Sequence, residues 1–327
     1  MRTRQLGWTD LHLTVIGFGA WAIGGGGWKF GWGPQDDSES IHAIHQALDL
    51  GVNWIDTAAV YGLGHSEEIV GRAIKGLPKR PIIASKCSLV WDDKGDILYV
   101  QKKESIRREV EASLKRLGID VIDLYQIHWP IPDPDIEEGW ETLVRLKEEG
   151  KIRFAGVSNF SVSQMRRIQT SGRIASLQPP YSMLKRDVED DILPFCGKNA
   201  IGVVVYSPMQ KGLLTGKITT ERAKNFPPDD HRRQDPDFME PLLSINGEFV
   251  KKLETLAQDQ GKTVAQLSLA WVLRRPELTS AIVGARRPSQ VEETVLAGDW
   301  VLSSEDIQAV DKLLKERGEK IKTVGGK

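Results

Sequence analysis

Cysteine is nearly absent from this chain of 327 residues, which contains only Cys87 and Cys196. Two thiols cannot build a disulfide framework, and neither belongs to a CxxC pair. A reducing compartment and unpaired thiols are therefore expected. An excess of charge of one sign is also missing. The 44 basic and 45 acidic residues leave a formal net charge of −1. That balance gives no support to a nucleic-acid or membrane-surface partner. The local excesses are short: Arg286-Arg287 and His231-Arg232-Arg233. No run approaches the roughly 20 apolar residues of a membrane span. No apolar stretch follows Met1–Gln5, so no signal peptide is expected and a cytoplasmic location is. The six His and two Cys show no ligand spacing, so no metal is expected.

What is present is a repeated pattern. Hydrophobic content of 40% and charged content of 27% allow a large core. After a small hairpin around Gly7 and Asp10, the apolar run Val15–Gly19 reads as the first buried strand. A glycine-rich stretch, Gly24 to Gly33, follows as a loop at the mouth of the fold. It lacks the spacing of a phosphate-binding motif. Ser38 then reads as the cap of a helix over 40–50, where Ile41, Ile44, Ala47 and Leu48 recur at helical spacing.

From there the unit repeats as apolar strand, polar residue, loop and amphipathic helix. The strands are expected at 52–56, 81–86, 121–128, 152–158, 175–178, 202–207 and 280–284. Their helices are expected at 66–74, 103–117, 136–149, 161–171, 188–199, 247–260 and 289–296. The strands are apolar on both faces, as in Ile201-Gly202-Val203-Val204-Val205-Tyr206, which is how covered parallel strands read. Eight such units predict an α/β fold, a TIM (β/α)8 barrel filling residues 1–327 as one domain. An open doubly wound sheet carries the same periodicity. Extra helices are expected at 263–274 and 303–315, with a frayed tail over 323–327. The segment 209–244 exceeds a plain connection and reads as a lid or a disordered loop.

The strand ends carry the chemistry. Asp56, Lys86, His128, the pair Ser158-Asn159, Gln178 and the pair Tyr206-Ser207 each close an apolar run, and Tyr61 lies just beyond Asp56. In a TIM barrel those positions share one face. Singly, each has a plainer role as a cap, a solvated lysine, a core histidine or a packing aromatic. Together they describe proton transfer to a carbonyl oxygen. A free phenol, with a pKa of about 10, is a poor acid–base group near neutrality. An ammonium such as Lys86 would lower that value, with Asp56 holding Lys86 in place. His128 would donate to the substrate oxygen. These groups supply no electrons, so a nicotinamide cofactor is the natural hydride source. Lys86 could instead serve as the amine nucleophile of a Schiff-base lyase.

The motifs Gly51-Val52-Asn53-Trp54-Ile55-Asp56-Thr57, Val60-Tyr61-Gly62, Ser66-Glu67, Ile127-His128-Trp129-Pro130 and Gly156-Val157-Ser158-Asn159-Phe160 resemble the signatures of the aldo-keto reductases, and the likeness spans nearly the whole chain. The Gly19-Ala20-Trp21 loop and the long lid resemble the bacterial general-reductase and potassium-channel β-subunit side of the family. The resemblance implies that Asp56, Tyr61, Lys86 and His128 form the catalytic tetrad, with Tyr61 as general acid. It implies NADP(H) lying across the barrel mouth, near Ala20, Trp21 and Asp56. Ser158, Asn159 and Gln178 would hold the carboxamide, and Tyr206 would stack on the ring. Ser207, Pro208, Met209, Lys211, Gly212, Leu213 and Lys217 would line the diphosphate. Gly284, Arg286, Gln290 and Glu293 would receive the adenine ribose, although Thr294 stands where many relatives have Asn. Arg286 suits a 2′-phosphate and so favours NADP over NAD.

The substrate implied is a small carbonyl compound, bounded by Trp21, Tyr61, His128 and Trp129. Trp28, Trp32 and Trp91 are further candidates for the pocket wall. The same likeness leaves room for a cofactor-loaded redox sensor that turns over slowly.

Overall fold

The computed structural model of the chain describes residues 1–228 and 230–325. Short apolar segments must bury both faces and satisfy every backbone polar group, and parallel pairing under a layer of helices does both. Eight of them pair in chain order: β3 (Ile16–Gly19), β4 (Trp54–Asp56), β5 (Ile82–Cys87), β8 (Ile122–Ile127), β9 (Ile152–Ser158), β10 (Ser176–Gln178), β11 (Gly202–Val205) and β12 (Leu278–Gly284). β12 returns to pair with β3, with Ala281 opposite Ile16 and Gly284 opposite Gly19, so the sheet is a closed barrel and not an open one.

The barrel interior is filled where the N-terminal hairpin of β1 (Thr3–Gln5) and β2 (His12–Thr14) plugs it. Leu6, Leu11 and Leu13 pack there with Trp54, Ala84, Leu124, Val204 and Ile282. Gly17 is required by this packing, because a Cβ on it would come within 2.0 Å of the Trp54 ring. Outside the strands, the helices bury one face each. In α4 (Ile136–Glu148), Ile136, Trp140, Leu143 and Leu146 face the barrel at helical spacing.

Several boundaries differ from the expected ones. Asp36, not Ser38, caps α1 (Asp37–Asp49): its carboxylate accepts from the Glu39 N–H. A carboxylate two residues upstream won the cap position. The helix expected from Gly247 starts earlier, as α8 (Leu242–Gln258). Gly247 lies within it at a place where an added Cβ meets nothing. The helix expected over 188–199 is a 3-10 turn at Asp187–Glu189 followed by α6 (Ile192–Lys198). The last helix, α11, runs Ser304–Gly325, through most of the tail expected to fray. Residues 326–327 lie outside the described residues.

A second hairpin, β6 (Leu89–Trp91) with β7 (Ile97–Tyr99), rises after β5 and was not anticipated. The described residues of the long lid, which exclude 229, form short turns around an apolar cluster of Leu213, Phe226, Phe238 and Leu243. Among the described residues, no helix is long and apolar enough to cross a membrane.

Candidate active site

Strand alternation decides which groups reach the barrel mouth. Along β5, Ala84 packs inside the barrel and Ile83 and Cys87 pack under the helices, so Lys86 points inward with Ala84. Asp56 is the last residue of β4 and Ser158 the last of β9. His128 follows β8 directly, and Tyr206 follows β11. Tyr61 arrives on the loop after β4. There Gly62, at φ 63°, approaches Gly24 so closely that a Cβ would lie 2.1 Å from the Gly24 carbonyl oxygen. The glycines expected to form a loop at the mouth thus bring the chain against the phenol.

Lys86 is the hub. Its Nζ donates to Asp56 Oδ1 at 2.6 Å, to the Thr57 carbonyl at 3.0 Å and to the Tyr61 hydroxyl at 3.1 Å. Those bonds use all three ammonium donors. Gln178 donates to the other Asp56 oxygen at 2.8 Å. His128 meets Tyr61 edge to face, with ring centroids 5.6 Å apart. The Lys86 and Asp56 side chains are 0% and 4% exposed. Burial pulls the lysine down and the carboxyl up, and their mutual attraction opposes both shifts.

Burial, and then the Asp56 charge, pushes the Tyr61 phenol well above its usual value. This corrects the expectation that Lys86 lowers it, because the ammonium charge is largely answered by Asp56. Burial, and then Lys86, hold the His128 imidazole well below its usual value.

A buried polar layer fixes these groups from behind. Ser66 Oγ donates to the Ala20 carbonyl at 2.8 Å and lies 2.9 Å from Thr57 Oγ1. Glu67, fully buried, accepts from Ser85 Oγ at 2.5 Å and from Arg116 at 2.8 Å. Glu109 accepts from the Ser88 N–H at 2.8 Å, and burial raises its carboxyl to about 7. The residues on both sides of Lys86 are therefore tied to helices α2 (His65–Ile74) and α3 (Lys103–Leu117).

On the other half of the mouth, Tyr206 Oη donates to Asn159 Oδ1 at 2.9 Å. Asn159 Nδ2 donates to the His128 carbonyl at 3.0 Å. Ser158 Oγ donates to the Gln178 carbonyl at 2.8 Å. Thus Ser158, Asn159, Gln178 and Tyr206 join the tetrad residues in one network. Beyond Tyr206, positive φ angles recur at Ser207, Gln210, Lys211 and Gly212, with Pro208 and Met209 between them. Such strain clusters at ligand clamps. Lys211 pairs with Asp235 at 2.6 Å, and Lys217 pairs with Glu293 at 2.7 Å, tying the lid to α10 (Pro288–Val295). The Leu213 side chain is engaged in the lid cluster, so only its backbone is available to a ligand.

After β12, Gln290 Oε1 accepts from the Arg286 N–H at 2.8 Å. The Arg286 guanidinium donates to Gln35 Oε1 at 2.5 Å and to the carbonyls of Trp32 and Pro34. All three partners are neutral. Burial and the neighbouring Arg287 and Arg232 lower its pKa, and among the described residues no ion pair includes it. Asp230 offsets that charge in part, and an incoming anion would supply the direct ionic partner that the described residues do not. The donor set of Lys211, Arg232, Arg286 and Arg287 therefore fits the phosphates of a dinucleotide.

Trp21 and Trp28 stand over Tyr61, with centroids 6.3 and 6.2 Å away. Trp129 and Tyr61 both pack against the cluster of Ala58, Val60 and Leu89. Trp91 lies on the unanticipated hairpin, opposite Ile97. Two residues at the mouth escaped sequence reasoning as site residues, His231 and Gln35. The first stands in the sequence as part of a basic triplet, and the second carries no motif at all.

A model of the aldo/keto reductase family matches residues 15–315. The chain belongs to that family. Among similar proteins, aldo-keto reductase YhdN of Bacillus subtilis is 42% identical, covering 94% of this chain and 92% of its own length. The NADH-specific methylglyoxal reductase of Escherichia coli is 39% identical over 94% of this chain and 96% of its own. In structure, the glycerol dehydrogenase of Gluconobacter oxydans superposes with a TM-score of 0.88 at 41% identity, covering 96% and 95% of the two chains. As an aldo-keto reductase, the protein is an oxidoreductase on a (β/α)8 barrel, from a family that uses nicotinamide cofactors.

Proposed function

We propose that this aldo-keto reductase reduces small aldehydes or ketones, with NADPH as its preferred cofactor and Tyr61 as the proton donor. One observation carries the reading: a buried lysine that bonds to a carboxylate and to a phenol at once, beside a neutral imidazole. When bound, the nicotinamide supplies a hydride. Everything else falls to this chain's residues. Neutral His128 keeps one ring N–H with which to hold the carbonyl oxygen. Tyr61 gives that oxygen its proton, and Lys86 stabilises the phenolate left behind. Asp56 and Gln178 keep Lys86 aimed. Asn159 links Tyr206 to the His128 backbone, so the cofactor half and the proton half of the mouth share one frame. Trp21, Trp28 and Trp129 exclude water from the phenol.

Arg286 supports NADPH over NADH, because its half-buried guanidinium hydrogen-bonds to neutral partners among the described residues and a 2′-phosphate would satisfy it in a bidentate way. The Escherichia coli relative is NADH-specific, and a parallel assay with both cofactors decides the preference of this chain. The experiment is a panel of small aldehydes and ketones assayed with NADPH and NADH in parallel, on the wild type and on Arg286→Ala. The wild type should favour NADPH, and Arg286→Ala should raise KM for NADPH roughly 10- to 100-fold while leaving that for NADH nearly unchanged. Equal losses for both cofactors would remove Arg286 from phosphate recognition. Binding without turnover of any carbonyl would count against reduction altogether.

A further inference from the structure

The lid carries a histidine whose environment asks for a ligand. His231 opens a short turn, His231–Gln234, capped by Asp230. Its ring stacks on Trp32, with centroids 6.1 Å apart and planes 16° from parallel, and lies 5.1 Å from Trp21. Trp32 Nε1 lies 3.0 Å from His231 Nδ1. An indole nitrogen can only donate, so Nδ1 is the acceptor and the ring proton sits on Nε2. Burial, and then the Lys211 charge, push this imidazole down to about 4, which keeps it neutral. Nε2 is buried and has no hydrogen-bond partner among the described residues. The Gly31 carbonyl comes near the ring without reaching hydrogen-bond geometry. A buried N–H without an acceptor is costly, and native structures rarely keep one without a reason.

The surroundings name the acceptor. Lys211 and Arg232 lie close enough to act on the His231 ring electrostatically, with Asp230 opposing them in part, and Arg232 also acts on Arg286. Lys211 and Arg232 are paired with Asp235 and Asp230, whereas Arg286 has no ionic partner among the described residues. Lys211 follows β11, Arg286 follows β12, and His231 sits between those two segments on the lid. An N–H donor set among cations complements an anionic oxygen.

We propose that His231 donates its Nε2 proton to a phosphate oxygen of the dinucleotide's diphosphate, as an anchor reaching down from the lid. Trp32 fixes the tautomer and, with Trp21, the plane of the ring, so the donor is preorganised before the ligand arrives. The inference rests on the nicotinamide reading above, and it assigns to this chain a binding residue outside the tetrad.

The test is equilibrium binding, followed by tryptophan fluorescence, of NADPH, NADH and reduced nicotinamide riboside, which has no phosphate. His231→Phe keeps a stacking ring and removes the donor. It should weaken NADPH and NADH together, roughly 10- to 100-fold, and leave the riboside unchanged. His231→Gln, which restores an N–H at similar reach, should recover most of the loss, whereas His231→Met should not. Wild-type affinity for NADPH in His231→Phe would overturn the proposal. So would an equal loss for the riboside, since that outcome assigns the ring to lid packing alone. A wild type that binds neither dinucleotide would overturn both this inference and the nicotinamide reading beneath it.

Discussion

Tyr61→Phe should lower carbonyl reduction roughly 10²- to 10⁴-fold while cofactor binding persists. The substitution removes one oxygen and keeps the ring that packs against Trp21, Trp28 and His128. Lys86 loses one of three acceptors and keeps Asp56 and Thr57. The fold should therefore be intact, and the loss should fall on kcat. The pH dependence follows from the direction of the shifts. The Tyr61 phenol is raised, so the protonated form that donates in reduction prevails through neutrality and beyond. His128 is lowered, so no imidazolium titrates near its usual value of about 6.5. Reduction by the wild type should thus be flat across neutral pH. Alcohol oxidation needs the phenolate and should rise with pH over the same range. A Tyr61→Phe variant with wild-type kcat would remove the phenol from the mechanism. An inflection in reduction near the usual histidine value would reject the neutral imidazole.

The second large effect belongs to Lys86→Met. Methionine fills the volume of the lysine stem, so the change isolates the ammonium. Among the described residues, Asp56 is then left buried with only Gln178 as a side-chain donor. Breaking a buried ion pair by removing one partner typically costs about 3–5 kcal/mol, because the remaining charge is uncompensated. The loss should appear in urea unfolding, together with near-total loss of turnover. Adding Asp56→Asn to Lys86→Met should recover part of the stability and none of the activity, since it removes the stranded charge without restoring a proton path. If the double variant is less stable than Lys86→Met, the pair contributes through something other than charge compensation.

Most of this arrangement was legible in the chain because two periodicities were strong. Apolar strands of four to eight residues ended in polar side chains, and amphipathic helices lay between them. That pattern places Asp56, Lys86, His128, Ser158 and Gln178 at one face from the sequence alone. Closure was not legible, since β12 meeting β3 is a contact between distant segments. The cap at Asp36 was missed because several acidic and hydroxyl residues compete within three positions. The β6–β7 hairpin was missed because Leu89–Trp91 and Ile97–Tyr99 are too short for alternation to stand out.

The electrostatic state of Tyr61 could not be read either. It depends on the balance between burial and the Asp56–Lys86 pair, and proximity to a lysine gave the wrong sign. The lid shows the deepest limit. Its order comes from the contacts of Leu213, Phe226, Phe238 and Leu243, and from His231 and Arg286 holding the glycine-rich loop. None of these has a sequence period.

The central claim is hydride transfer to a carbonyl under control of this tetrad. Its most direct measurement uses NADPH carrying deuterium at the transferred C4 position, incubated with the wild-type enzyme and a small aldehyde. The account predicts an alcohol bearing that deuterium on the former carbonyl carbon, formed in step with cofactor consumed. Alcohol without the label, or cofactor that binds and stays reduced, would contradict it.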